Sequence, residues 1–409
     1  MLAMNKLKVG WFFGGRATEH EVSVLTALQA FENINQSRYE IIPVYVSKKG
    51  DFYTNPKFLD LKNYKDVDSL LLSSTKITLG RKENQGGFFT QGLFGKFVTL
   101  DVAFLSFHGS FGEDGCMQGL LEMYQIPYTG FSVLSAGITM DKAISKAIFK
   151  ELGLPVCNYL AVSRIDFLKN PKQVLEQAKK ILKFPMFVKP ATIGSSIGVN
   201  KAKDEDSLNF ALEVAFTFAE KVLIEEAFEN AIEVNCSALG YEEIKASVCE
   251  MPVGSTEVLS FEDKYQKGGG KGSKQGLRSD DLKGSGMASL SRIIPAPIPD
   301  KLTKQIQGAT VKVFKALEGC GVARIDYFVN SAKDKFWINE INTPPGSFAF
   351  YLWEKSGVKF SKLVDMLIEF ALKRTENQSK TQYTFESGLL SSMAQKGGIN
   401  KFVSDEIKN

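Results

Sequence analysis

Apolar residues in this chain fall into short unbroken runs and helical stripes, and the two alternate. Lys8–Phe13 is a mostly apolar run ending in Gly14-Gly15, and a helical pattern follows from Glu21 to Phe31. The design returns at Asp101–Phe107, which leads into a glycine-rich turn, His108–Gly115, and then a helix over Met117–Tyr124. Strands alternating with helices predict an open parallel α/β layer over residues 1–140. Ligands of such layers sit beyond the carboxyl ends of the strands, where both glycine turns fall.

A second unit, residues 141–229, opens with a helix over Asp141–Leu152 that stops at Gly153, with Pro155 just beyond. Strands over Cys157–Val162, Met186–Lys189 and Val222–Glu225, with helices over Pro171–Leu182 and Glu205–Ala219, make it α+β. A third unit, residues 230–375, starts with two antiparallel strands, Glu233–Leu239 and Glu243–Val248. Residues 253–286 are then rich in Gly, Ser and Lys, and so long a loop in a compact enzyme predicts a lid. A helix over Asp300–Glu318, paired strands Val322–Val329 and Phe336–Ile341, and an amphipathic helix over Leu363–Lys373 complete the unit. Residues 376–409 are polar, with little helical patterning, and read as a weakly ordered tail.

Composition narrows the class. Length allows two or three domains, and the balance of 44% hydrophobic and 23% charged residues is that of a soluble globular protein. A net charge of +4 spread over 409 residues argues against nucleic acid as a partner. The five cysteines stand singly, without a CxxC pair, which argues against a disulfide framework or a zinc site and for a reducing cytoplasm. Met1–Val9 holds no apolar core of signal-peptide length, and no run approaches a membrane span.

Three places carry candidate chemistry. Side chains alternate along a strand, so Arg324, Asp326 and Phe328 share a face, as do Ile338, Glu340 and Asn342 on the partner. If even-numbered residues pair across the hairpin, Arg324, Asp326, Glu340 and Asn342 converge, and two carboxylates with an amide oxygen suit Mg²⁺. A solvated face of alternating charge would read the same. Next, Lys189 ends an apolar strand before Gly194-Ser195-Ser196, as a phosphate-cradling loop is built, although a glycine-serine turn with a surface lysine fits too. Finally, Thr18 and Glu21 fit a helix capping box, leaving Glu19 toward the strand-end crevice, where it could bind an amino group. His108 occupies the equivalent turn of the later unit; a histidine there is also a common turn stabiliser.

Together these segments resemble the D-alanine–D-alanine ligase family of the ATP-grasp superfamily. The resemblance rests on Gly14-Gly15 with Glu19-His20 and Val22-Ser23, on His108-Gly109 through Gly112-Glu113-Asp114-Gly115, and on Gln118-Gly119 and Glu122. It continues through Ile126-Pro127-Tyr128-Thr129-Gly130, Met140-Asp141-Lys142, Lys146, Val188-Lys189-Pro190, Gly194-Ser195-Ser196 and Asn339–Gly346. The matches keep the family's order from Lys8 to Lys373.

The resemblance implies a three-domain ATP-grasp architecture and an acyl-phosphate mechanism with ATP and two Mg²⁺ ions, for which Mn²⁺ could substitute. It also implies D-alanine as substrate and a homodimer formed through the first domain. By the same resemblance, Lys142 and Lys189 hold ATP phosphates beneath Ser195 and Ser196. Glu225, Glu226 and Phe228 meet the adenine side, and Glu233 meets the ribose. Asp326, Glu340 and Asn342 bind metal. Glu19 takes the first ammonium, with His108 beside the substrate. Arg324 and the Gly346 N–H stabilise the oxyanion, and Lys264-Tyr265 forms the lid pair.

Three departures stand out: Ala191-Thr192-Ile193 before Gly194, Glu226-Ala227-Phe228 after the adenine-side glutamate, and Ser347–Trp353 after Gly346, which is shorter and more aromatic than the family's Thr/Ser stretch. Either Ser347 or Tyr351 grips the second carboxylate, or the second substrate differs, with D-lactate, D-serine or another amino acid as candidates. A nucleotide-binding protein without catalysis is the alternative of another class. A nicotinamide dehydrogenase is disfavoured because Gly14-Gly15 lacks the GxGxxG pattern.

Overall fold

The first sheet contains β1 (Leu7–Gly14), β2 (Tyr39–Val46), β3 (Phe52–Thr54), β4 (Thr75–Lys82), β5 (Gln85–Thr90), β6 (Phe97–Thr99) and β7 (Val102–Leu105), in the order β6-β5-β4-β3-β2-β1-β7. β1 runs parallel to β2 and β7, and the other pairings are antiparallel. The expected parallel layer is therefore confined to three strands. Ser47–Asp51 is too short to carry a crossover, so the chain turns back at β3 and continues as a meander. This computed structural model describes residues 6–92, 94–228, 231–253, 291–330, 332 and 334–395.

β8 (Tyr159–Ser163), β9 (Met186–Pro190), β10 (Asn200–Ala202) and β11 (Lys221–Glu226) form a second, antiparallel sheet in the order β10-β9-β11-β8. Helices Pro171–Ile181 and Glu205–Phe218 bury Val174, Leu175, Leu208 and Leu212 against Val188, Val222 and Ile224.

The third sheet is β12 (Ile232–Gly240), β13 (Ile244–Pro252), β14 (Arg292–Ile293), β15 (Gly321–Asn330) and β16 (Lys335–Asn342), in the order β14-β13-β12-β15-β16. Helix Asp300–Ala316 covers one face with Leu302, Ile306, Val313 and Phe314, packed on Val234, Cys236, Ile325 and Tyr327. By alternation the opposite face receives Asn235, Ser237, Arg324 and Asp326. Burying one face thus forces the polar residues of the hairpin onto the other. We propose domain boundaries near residues 140 and 230, between the three sheets.

By its contacts the chain divides into a main unit, Met1–Leu372, and a second, Lys373–Asn409. In the second unit, where patterning predicts little helix, helix Phe360–Gln378 runs to its end and a short exposed helix spans Leu389–Gln395. Leu389, Leu390 and Met393 give that segment a helical edge. Among the described residues no helix is long and apolar enough to cross a membrane.

Candidate active site

The β15–β16 register pairs Arg324 with Asn342 and Asp326 with Glu340, which is the even-numbered pairing that brings the four side chains to one face. Arg324 grips Asp326 with both arms of its fork, Nε to Oδ1 at 2.6 Å and Nη2 to Oδ2 at 2.7 Å. Asn342 Nδ2 adds a hydrogen bond to Asp326 Oδ2 at 3.1 Å. Burial works against the Arg324 charge, but Asp326 outweighs it, so the guanidinium stays protonated far above its usual range. Arg324 Nη1 is nevertheless buried, with no hydrogen-bond partner among the described residues. A buried donor left unmade costs about 1–3 kcal/mol, and an open donor on a buried guanidinium can receive an anion.

Helix Lys142–Glu151, capped by Asp141, sets two lysines four residues apart, so both lie on one face. Lys142 Nζ donates to the Ile193 carbonyl at 2.8 Å and lies 3.5 Å from Glu340. Lys146 Nζ lies 2.9 Å from Glu225 Oε1 and donates to the Asn339 carbonyl at 2.9 Å. Lys189, at the end of β9, lies 2.5 Å from Glu225 Oε2 and 3.3 Å from Asn339 Oδ1. Burial would push the Glu225 carboxyl up, but the two ammonium groups outweigh it and hold it down at about 2. Glu225 therefore turns its carboxylate to two lysines, and Lys146 is the member of this trio to which patterning gives no role.

The two glycine turns follow the carboxyl ends of β1 and β7. Glu19 is the first residue before helix His20–Phe31, and no capping box forms there. Thr18 Oγ1 instead donates to Glu19 Oε2 at 2.6 Å, while Glu21 pairs with Lys48 at 3.0 Å. The expected box fails because the helix starts one residue late for Thr18 to cap it. Glu19 is buried between two loops: a Cβ on Gly109 would sit 2.3 Å from its Oε2, and one on Gly194 would sit 3.2 Å from its Oε1. His108 is buried, with Nε2 3.0 Å from Thr26 Oγ1 and Nδ1 3.8 Å from Glu113. Ser195 and Ser196 both adopt left-handed backbone conformations, with φ of 57° and 59°, in the loop that brings Gly194 to Glu19. A crevice carboxylate, a lysine-bordered loop and a hairpin carboxylate pair thus belong to one connected region.

Two family models match the chain, one described as D-ala D-ala ligase N-terminus over residues 8–131 and the other as D-ala D-ala ligase C-terminus over residues 148–369. The D-alanine–D-alanine ligase of Thermosipho melanesiensis is 37% identical over 91% of this chain and 95% of its own length. The chain belongs to the D-alanine–D-alanine ligase family. Solved relatives of this ligase include the D-alanine-D-alanine ligase from Coxiella burnetii, with TM-score 0.74 and 26% identity over 92% of this chain and 97% of the other. Another is the VanG D-Ala:D-Ser ligase from Enterococcus faecalis, with TM-score 0.73 and 27% identity over 90% and 100%.

Other parts of the ligase site are less legible. Phe228 packs tilted against Trp337, ring centroids 4.4 Å apart, and near Phe328 at 5.5 Å. Lys189 Nζ lies 5.9 Å from the Phe328 ring and 6.0 Å from that of Phe187. These aromatics are half-buried, with Phe187 and Phe328 near Lys189, and Phe187 and Trp337 escape sequence reasoning because half-buried aromatic strand residues look alike in sequence. Glu226 accepts from Asn158 Nδ2 and the Lys183 N–H. Glu233, on β12, pairs in register with Phe328.

Ser347 is buried, its hydroxyl donating to Gln29 Oε1 at 2.6 Å and its N–H to Thr26 Oγ1 at 3.3 Å. Ser347, Phe348 and Ala349 are all left-handed, so the shortened segment after Gly346 folds tightly against helix His20–Phe31. Tyr351 donates to Glu250 Oε1 at 3.2 Å, and Arg292 lies 3.6 Å above its ring and 2.7 Å from Glu250 Oε2. Lys264, Tyr265 and most of the expected lid lie outside the described residues. Among the described residues no group of three or more His, Cys, Asp or Glu side chains is placed to hold a metal, and the hairpin set contains two carboxylates and an amide.

Proposed function

We propose that this ATP-dependent ligase joins two D-alanines through an acyl-phosphate, and the observation that carries the reading is buried Arg324, held by Asp326, with an Nη1 that has no partner among the described residues. Buried donors aimed at developing charge are the largest single contribution in acyl transfer. In this reading Arg324 and the Gly346 N–H hold the tetrahedral oxyanion while the second amine displaces phosphate from the acyl-phosphate.

ATP would place its adenine beside Phe187, Phe228 and Trp337, with Glu226 on the adenine side and Glu233 toward the ribose. Its phosphates would meet Lys142 and Lys189 under Ser195 and Ser196. Asp326, Glu340 and Asn342 would hold Mg²⁺, which when bound neutralises phosphate charge and leaves the γ-phosphate open to the first carboxylate. Two carboxylates and an amide fit a cation that keeps phosphate and water oxygens as its remaining ligands. Glu19 would anchor the first ammonium, with His108 behind it and Tyr265 and Lys264 closing over the site. The five free cysteines fit a cytoplasmic location; a homodimer rests on family resemblance.

A different second substrate has specific support. Ser347 has already donated its hydroxyl to Gln29, and a D-Ala:D-Ser ligase is among the structural relatives. Phosphate release with ATP, Mg²⁺ and D-alanine alone is expected to be rapid, with the dipeptide as product. Turnover only after D-serine, D-lactate or a bulkier amino acid is added would move the acceptor assignment, and silence with every acceptor would sink the ligase reading for this chain.

Gly109→Ala tests the first subsite. Gly109 has φ +81°, and the new Cβ would collide with Glu19 Oε2. We expect KM for the first amino acid to rise about tenfold or more while nucleotide binding is unchanged, because a charge-assisted ammonium contact is lost. A wild-type KM in steady-state kinetics would place the ammonium elsewhere.

A further inference from the structure

Lys146 is 1% exposed, deep in the protein. Its contacts are Glu225, the Asn339 carbonyl and the Cys157 sulfur at 3.5 Å. A fully buried lysine is rare and costly unless paired, and here one carboxylate serves two lysines. Counting charges, Lys146, Glu225 and Lys189 together carry a net single positive charge. Glu225 alone against Lys189 would leave the pair neutral, with the Lys189 ammonium fully answered from behind.

We propose that Lys146 is a positioning residue for the phosphate lysine: by taking one oxygen of Glu225 and the Asn339 carbonyl, it leaves Lys189 aimed and electropositive toward an anion. This rests on the reading of Lys189 as an ATP-phosphate ligand. Two observations support it beyond the charge count. Asn339 contacts both lysines, by its carbonyl to Lys146 and by its side chain to Lys189, so the trio is tied to β16 next to Glu340. Lys142 and Lys146 also share a helix face, so the residue that pins Glu225 moves with the one that contacts Glu340 and the Ile193 loop.

The test separates an electrostatic role from scaffolding. ATP and adenosine are titrated against Lys146→Met by equilibrium dialysis, without amino acids. We expect ATP affinity to fall about tenfold or more and adenosine affinity to change less than about twofold, since only the phosphates feel the missing charge. The double variant Lys146→Met with Glu225→Gln, which restores the net positive charge, should recover most of the ratio of ATP to adenosine affinity, a ratio in which any adenine-side effect of Glu225 cancels. Should Lys146→Met not fold, the double variant is compared with Glu225→Gln alone, and the latter should bind ATP about tenfold more tightly. Equal losses for ATP and adenosine, or no loss for either, would overturn the proposal. Because binding is read without ligation, a failure of the D-alanine assignment would leave this result standing.

Discussion

Arg324→Lys is expected to lower kcat by about two to three orders of magnitude while leaving nucleotide affinity within about threefold of wild type. The reason is geometric. Arg324 spends Nε and Nη2 on Asp326 and keeps Nη1 buried, with no partner among the described residues. A lysine keeps the charge and can still neutralise Asp326, but a single ammonium cannot pair with the carboxylate and reach a second oxygen in a fixed direction. The substitution therefore removes the directed donor while sparing the buried carboxylate from isolation, which Arg324→Met would not do. Stopped-flow phosphate release and dipeptide formation, measured beside ATP binding, give the split between kcat and affinity. If kcat stays within about tenfold, Arg324 serves mainly to hold Asp326 and the oxyanion assignment fails.

The hairpin shows what the sequence made legible. Alternation along the two strands leaves one pairing that gathers the charges, and the register adopts it at Arg324–Asn342 and Asp326–Glu340 but not beyond, where Ile338 pairs with Tyr327. The bulge between Asp326 and Tyr327 has no sequence signal: it pairs Tyr327 with Ile338 and carries Ile338 into the core, off the face expected for it beside Glu340 and Asn342. The first strand and its glycine turn were equally readable, because a buried parallel strand is a continuous apolar run. The meander β3–β6 was not: its strands are short and partly exposed, and only the length of the turns distinguishes it from a second crossover.

Within the site, positions were easier to find than orientations. Glu225 takes its adenine-side role from the resemblance alone, and nothing in the sequence tells that its side chain faces Lys146 and Lys189. Lys146 carried one available signal, its four-residue spacing from Lys142 on a capped helix. That signal is weak because surface lysines share it, and burial is the property that distinguishes this one. Ser347 illustrates the opposite limit. A serine after Pro-Gly looks available to a ligand until the left-handed run through Ala349 turns it onto Gln29.

Glu225→Gln is expected to be the most destabilising change in the nucleotide region, and the size of the loss should depend on pH. The wild-type carboxyl is held at about 2 against an ordinary value of 4.5, so its ionised form is favoured in the folded state. Each tenfold difference in proton affinity between the folded and unfolded chain is worth about 1.4 kcal/mol, so the ion trio contributes on the order of 3 kcal/mol at neutral pH. For a depressed carboxyl this contribution is fully present above pH 4.5 and disappears as pH falls through 2. The glutamine variant lacks the titrating group and additionally leaves two buried ammonium groups facing each other, the situation in which breaking a buried pair costs about 3–5 kcal/mol. Urea unfolding at neutral pH should therefore show the full deficit. Repeated at intervals from about pH 5 to about pH 2.5, it should show the gap between the two proteins narrowing steadily. A gap that is constant across that range would mean that Glu225 contributes packing and hydrogen bonds rather than charge, and the net positive potential assigned to the Lys146–Glu225–Lys189 trio would have to be abandoned with it.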